Sequence, residues 1–262
     1  MKQTANNINQ LGKYLAPRDI KDLTTSSLNQ NYNINQADIF VLFGGSIICG
    51  GDVLAEAIKQ KIAKHYIIVG GAGHTTETLR EIAHFYAPQI NTFNKSEAEI
   101  FNEYIYNLYG VKADYTENKS TNCGNNITNL IKLIEEKNIS CSSIIICQDA
   151  TMQLRMYATL KKYKPEITII NYASYQVNVL ASEKGLRYDQ DIKGMWNMDR
   201  YITLLMGEIP RLTDNAEGYG PKGKNYLAHI DIPENITIAF NELKKIFVDK
   251  IRIADPIYSS ND

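Results

Sequence analysis

The residues of this chain that could do chemistry gather in short segments that follow runs of β-favouring apolar residues. After the run 39–43 come Gly44, Gly45, Gly50 and Gly51. Glycines there let the chain turn tightly and let a ligand approach the backbone. The spacing from Gly45 to Gly50 opens like a P-loop. Gly51 and Asp52 follow, however, where lysine and serine or threonine would have to serve phosphate and magnesium. An ATPase of that type is excluded, while a glycine-rich turn with no ligand remains an alternative. A second segment, VGGAGHTT at 69–76, carries Gly70, Gly71, Gly73 and Thr75 just before a helical pattern. Its backbone N–H groups and the helix dipole would favour an anion or a carboxylate. The dinucleotide motif needs a third glycine where Thr76 stands, so a nicotinamide site is not expected. His74 reads either as a loop histidine bonded to backbone or, from its place at a strand end, as an acid or base.

Glu97 lies in the tetrapeptide SEAE. Ser96 and Glu99 have the spacing of a capping box, and Glu97 complements the helix dipole in the first turn. Spacing alone favours that role over ligand binding. The segment ENKSTNCGNN, 117–126, offers Glu117, Ser120, Thr121, Asn122 and Asn126 between a strand and a helix. One polar side chain is enough to cap a helix, so the surplus points to a hydrogen-bonding cradle. In QDATMQLR, 148–155, Asp149 suits a helix cap as well as a site, and Arg155 faces either the same crevice or solvent.

These segments need a frame that brings them together. Strand patterns fall at 38–43, 66–69, 113–116, 143–147 and 167–171, alternating with helical patterns at 53–64, 76–86, 97–109, 123–137 and 151–163. Continuous apolar strands joined by helices indicate an α/β fold with a doubly wound, mainly parallel, Rossmann-like sheet. Ligands bind such sheets at the carboxyl ends of the strands, where the strand order reverses. The expected organisation is a helical lead-in over 1–36, the α/β domain over 37–172, and a small, mostly helical portion over 173–262. Strand signals fade after Tyr172.

Composition narrows the classes. In 262 residues, 28 lysines and arginines nearly balance 29 aspartates and glutamates, with no block of like charge. Neither nucleic acid nor an anionic membrane surface is therefore expected as partner. The apolar runs are strand-sized, too short for membrane insertion, and the opening residues lack a signal pattern, so a cytoplasmic protein is expected. Four cysteines without a CxxC pair and four scattered histidines make a metal site unexpected. Oligomeric state is left open.

VGGAGHTT, the SEA of 96–98, ENKSTNCGNN, QDATMQLR, GEIPRL at 207–212 and GYGPKG at 218–223 resemble, in the same order, segments of the YdcF-like proteins. Those belong to a wider bacterial family that includes SanA and ElyC. The resemblance implies a Rossmann-like domain with a C-terminal extension. It also implies a site drawing on Gly44, Gly45, Gly70, Gly71, Glu97, Glu117, Ser120, Asn126 and Arg155. Two positions depart from the pattern. Met152 stands where the wider family commonly has histidine, and Asn125 stands where YdcF-like proteins have glutamate.

The resemblance implies a protein that binds S-adenosylmethionine or a related adenosine compound, with a transferase among its possible activities. The alternative is a hydrolase or transferase for a phosphorylated envelope precursor. In that case residues 71–76 and 120–126 would hold phosphate, Arg155 would neutralise charge, and Glu97 or His74 would act as acid or base. A regulatory protein with a vestigial pocket is the third expectation.

Overall fold

The computed structural model describes residues 1–45, 47–73 and 75–250. Its centre is a five-stranded sheet of β1 (Ala37–Phe43), β2 (Ala63–Val69), β3 (Tyr115–Glu117), β4 (Ser143–Cys147) and β5 (Thr168–Asn171). The spatial order is β3-β2-β1-β4-β5, and every pairing in it is parallel. All seven residues of β1 are buried, as a central strand covered on both faces requires.

The alternation of side chains along the strands sorts the core into two layers. Phe40, Leu42 and Ile68 pack with residues of α3 (Cys49–Gln60), α4 (Thr76–Tyr86) and α5 (Glu97–Tyr109). Ile39, Val41 and Phe43 pack on the other face with α6 (Cys123–Glu136) and α7 (Gln153–Tyr163). The result is a mixed α/β fold consistent with a Rossmann-like arrangement. β1 and β4 are neighbours although β2 and β3 intervene in the chain, so the strand order reverses between them. At that point the side-chain amide of Gln148, just past β4, donates to the carbonyl of Gly44, just past β1, at 2.8 Å.

A third apolar cluster joins the two ends of the chain. Ile8, Leu11 and Leu15 form the buried stripe of α1 (Lys2–Leu15), and they pack with Leu205 and Met206 of α8 (Met198–Leu212) and Leu243 of α9 (Glu234–Ile246).

The structure corrects several readings. The region after Tyr172 contains an antiparallel hairpin of β6 (Val179–Ser182) and β7 (Gly185–Tyr188). Its strands are short and mostly half-buried, so they lack the apolar run that marks a strand in sequence. The polar connector in the lead-in forms α2 (Thr25–Tyr32), begun by the hydroxyl of Thr24 accepting from Ser27 N at 3.2 Å. Helix α3 starts four residues before its apolar pattern and includes Gly50 and Gly51. Those two glycines therefore belong to helix packing, where Gly51 lies against Tyr104 and Phe101 of α5.

Candidate functional site

A cavity of about 540 Å³ opens at the carboxyl ends of the strands. Gly44, Gly45, Gly71, Gly73, Thr75, Glu97 and Asp149 line its floor. Ser120, Asn122, Asn126 and Arg155 line its walls. Two expected site residues, Gly70 and Glu117, lie beneath this surface. His74 falls outside the described residues.

Helix α5 places Glu97. Ser96 caps it, with Oγ accepting from Glu99 N at 3.2 Å while Glu99 Oε2 accepts from Ser96 N at 2.8 Å. The N–H groups of Glu97 and Ala98 donate to the carbonyls of Gly71 and Gly70, both at 2.9 Å. This docks the helix start against the end of β2. The Glu97 side chain, only 5% exposed, turns under the loops instead of toward solvent. Its Oε1 accepts from the hydroxyls of Thr75 (3.0 Å) and Thr76 (2.9 Å), and its Oε2 accepts from Gly45 N at 2.5 Å. Burial raises its pKa, and the three hydrogen bonds together with the charge of Arg80 offset part of that rise. Dipole complementation is thus the lesser part of its role.

The close approach of β1, β2 and Glu97 depends on Gly44. A Cβ there would lie 2.4 Å from Glu97 Oε2 and 2.9 Å from the Cα of Gly70. Gly71 is held as tightly. Its N–H donates to both the carbonyl (3.0 Å) and the hydroxyl (3.2 Å) of Ser120. A Cβ on Gly71 would come 2.2 Å from that carbonyl.

Glu117 shapes the next loop from below, accepting from Lys119 N (2.7 Å), Ser120 N (3.3 Å) and the amide of Asn129 (3.1 Å). Asn122 caps α6, with Oδ1 accepting from Asn125 N at 3.0 Å. Asn125 Oδ1 accepts in return from Asn122 N and Thr121 N, both at 2.9 Å. The position that departs from the resemblance therefore completes a capping box without a carboxylate. Asn126 differs from its neighbours. It is 7% exposed and lines the cavity, yet its side-chain amide has no hydrogen-bond partner among the described residues.

Asp149 is buried and is not the cap of α7, whose N-cap position is Met152. It organises the cavity floor. Oδ1 accepts from Thr151 N (2.9 Å), the Thr151 hydroxyl (2.7 Å) and the Tyr175 hydroxyl (3.1 Å), while Oδ2 accepts from Trp196 Nε1 at 2.8 Å. Desolvation pushes its pKa up, against the pull of those same bonds. Arg155 points into the crevice. Its Nε and Nη2 meet Glu208 Oε2 and Oε1 at 2.6 and 3.0 Å, and Nη2 also lies 3.2 Å from the sulfur of Met152. Arg155 thus joins α7 to α8 through a largely buried two-pronged ion pair.

Sequence reasoning missed Glu208, Trp196, Arg211, Tyr219 and Lys224 as parts of the site. Glu208 had left a signal. It is an acid set among Leu204, Leu205, Met206, Ile209 and Leu212, and a buried carboxylate on an apolar helix requires a partner.

Among the described residues, no group of three or more histidine, cysteine, aspartate or glutamate side chains is placed to hold a metal ion. No described helix is long and apolar enough to cross a membrane. The fold and site define an α/β protein with a cavity at its strand-order reversal. No protein-family model matches the chain.

Proposed function

We propose that this chain is a YdcF-like small-molecule-binding protein whose cavity takes S-adenosylmethionine or a related adenosine compound. Its reaction is unassigned, with group transfer the class that such a ligand would serve. One observation carries the reading. Gly44, Gly71, Glu97, Asn126 and Arg155 come from separate loops and helices and line one cavity beside the reversal of strand order. That is where parallel sheets bind nucleotide-like ligands. A volume near 540 Å³ suits a molecule of that size. The indole of Trp196 lines the same cavity, a face suited to a cationic sulfur. The α6 N-terminus and the open amide of Asn126 offer donors for the amino-acid carboxylate.

Thermal unfolding with S-adenosylmethionine and with S-adenosylhomocysteine tests the reading. Ligand at a hundred times its dissociation constant should add about 2.7 kcal/mol of stability. No shift with either compound at millimolar concentration would end it.

A second reading, hydrolysis or transfer on a phosphorylated precursor, has one observation in its favour. The α6 N-terminus and Arg155 lie on the same cavity surface, as a phosphate cradle requires. Turnover of phosphoesters that is lost in Glu97→Gln would favour it, and no turnover across a broad panel would remove it.

A further inference from the structure

The cavity does not stop at the strand ends. Arg155, Thr159 and Tyr163 all line it, and four-residue steps along α7 place them on one stripe about 12 Å long. The opposite side of that stripe is residues 219–228. Ala228 N donates to Ala158 O at 3.0 Å, and the ammonium of Lys162 donates to Asn225 O. The chain therefore runs beside the outer half of α7 and carries Lys224 to its far end.

This outer half has its own chemistry. Its floor is apolar and aromatic, with Leu204, Leu227, Tyr163 and the Tyr219–Tyr226 pair, whose rings meet edge to face at 5.4 Å. Its charges are both positive. Lys224 sits 5.3 Å from the centre of the Tyr219 ring. Arg211 spends one Nη1 bond on the carbonyl of Gly207. Neither has a carboxylate within ion-pairing distance among the described residues. Arg155, by contrast, is committed to Glu208. Two cations without acids beside an aromatic, apolar surface form a complementary seat for an acid on an aromatic or apolar body.

We propose that the outer half of the cavity is a second subsite, binding the acidic end of a carboxylate or phosphate compound with an aromatic or apolar body. It rests on the small-molecule reading of the cavity and names the second molecule with which the first ligand would react. It does not depend on the first ligand's identity.

Calorimetry on the full chain at low ionic strength, with phenylphosphonate and benzoate as probes and benzamide as the neutral control, tests the proposal. At least one acid should bind about tenfold more tightly than benzamide, and Lys224→Gln should weaken it about tenfold, the worth of one charge-assisted hydrogen bond. Lys224 is exposed, so its loss should leave the fold intact. Arg211→Gln should act in the same direction, with Arg211→Lys restoring part of the affinity. Lys132→Gln, on an exposed part of α6, should change nothing. Saturating S-adenosylhomocysteine should leave the acid's affinity within a few-fold. Acids that bind no better than benzamide, that ignore both Lys224→Gln and Arg211→Gln, or that S-adenosylhomocysteine displaces would overturn the subsite. The ratio of phenylphosphonate to benzoate affinity separates phosphate from carboxylate. Acid binding without any S-adenosylhomocysteine binding would leave this subsite standing and remove the adenosine reading instead.

Discussion

The floor of the cavity and its outer walls treat polar groups in opposite ways. On the floor, Glu97 and Asp149 are buried carboxylates whose oxygens accept seven hydrogen bonds from the chain itself, three at Glu97 and four at Asp149. On the walls, the amide of Asn126 and the cations of Arg211 and Lys224 lack comparable partners. Glu97 and Asp149 hold the loops in place, and Asn126, Arg211 and Lys224 are left for something outside the chain. Polar groups that face the cavity and are not used by the chain are available to a ligand or to water. The Arg155–Glu208 pair marks the border between the two regimes.

The largest test of this contrast is at that border. Glu208→Ala strands a largely buried guanidinium, and urea unfolding should show a loss of up to about 3–5 kcal/mol. The double change Arg155→Met with Glu208→Leu should recover most of it. A loss near zero for Glu208→Ala would mean that Arg155 is free to serve the ligand, and the border would vanish.

The next test strikes the floor's geometry. Gly71→Ala forces a Cβ onto the Ser120 carbonyl, and displacing that loop should cost about 1–3 kcal/mol. Binding of S-adenosylhomocysteine should fall with it. Unchanged stability and binding would show that the two loops are not held together as the structure has them.

Glu97→Gln sharpens the comparison through pH. The folded-state pKa of Glu97 lies above its ordinary value of 4.5, so the folded chain binds this proton more tightly than the unfolded chain. Its contribution to stability is greatest below pH 4.5 and declines as pH rises toward the folded-state pKa. The stability difference between variant and wild type should therefore move in the variant's favour as pH rises from 4.5 to 7. A difference flat in pH would show that Glu97 is not held in a desolvated site.

The smallest expected effect on stability is on the wall. Asn126→Ala removes an amide with no partner, so unfolding should shift by no more than about 0.5 kcal/mol. Affinity for S-adenosylmethionine should nonetheless drop. A large loss of stability would reveal a structural bond and would move Asn126 to the floor's side of the contrast.

Much of the frame was legible in the linear pattern. β4, α4 and α5 have the bounds that their apolar periodicity indicates, because a buried strand and an amphipathic helix each print their period on the residue types. The hairpin of β6 and β7 was not legible, because partly exposed strands of four residues print no such run. The same holds for the start of α3, where glycines lower helix propensity and packing against Tyr104 overrides it.

At the site, residue types along the chain determined which segments are polar, glycine-rich and placed at strand ends. They fixed Ser96 as a cap but left several other side chains with two roles, cap or ligand. Only the tertiary structure chose between them. It turned Glu97 and Asp149 into braces, put Glu117 beneath the surface and left Asn126 open. The reason is physical. A helix cap is a contact within four residues and can be read locally. The pairing of Arg155 with Glu208, or of Asp149 with Trp196, spans about fifty residues and exists only once the core has closed around it.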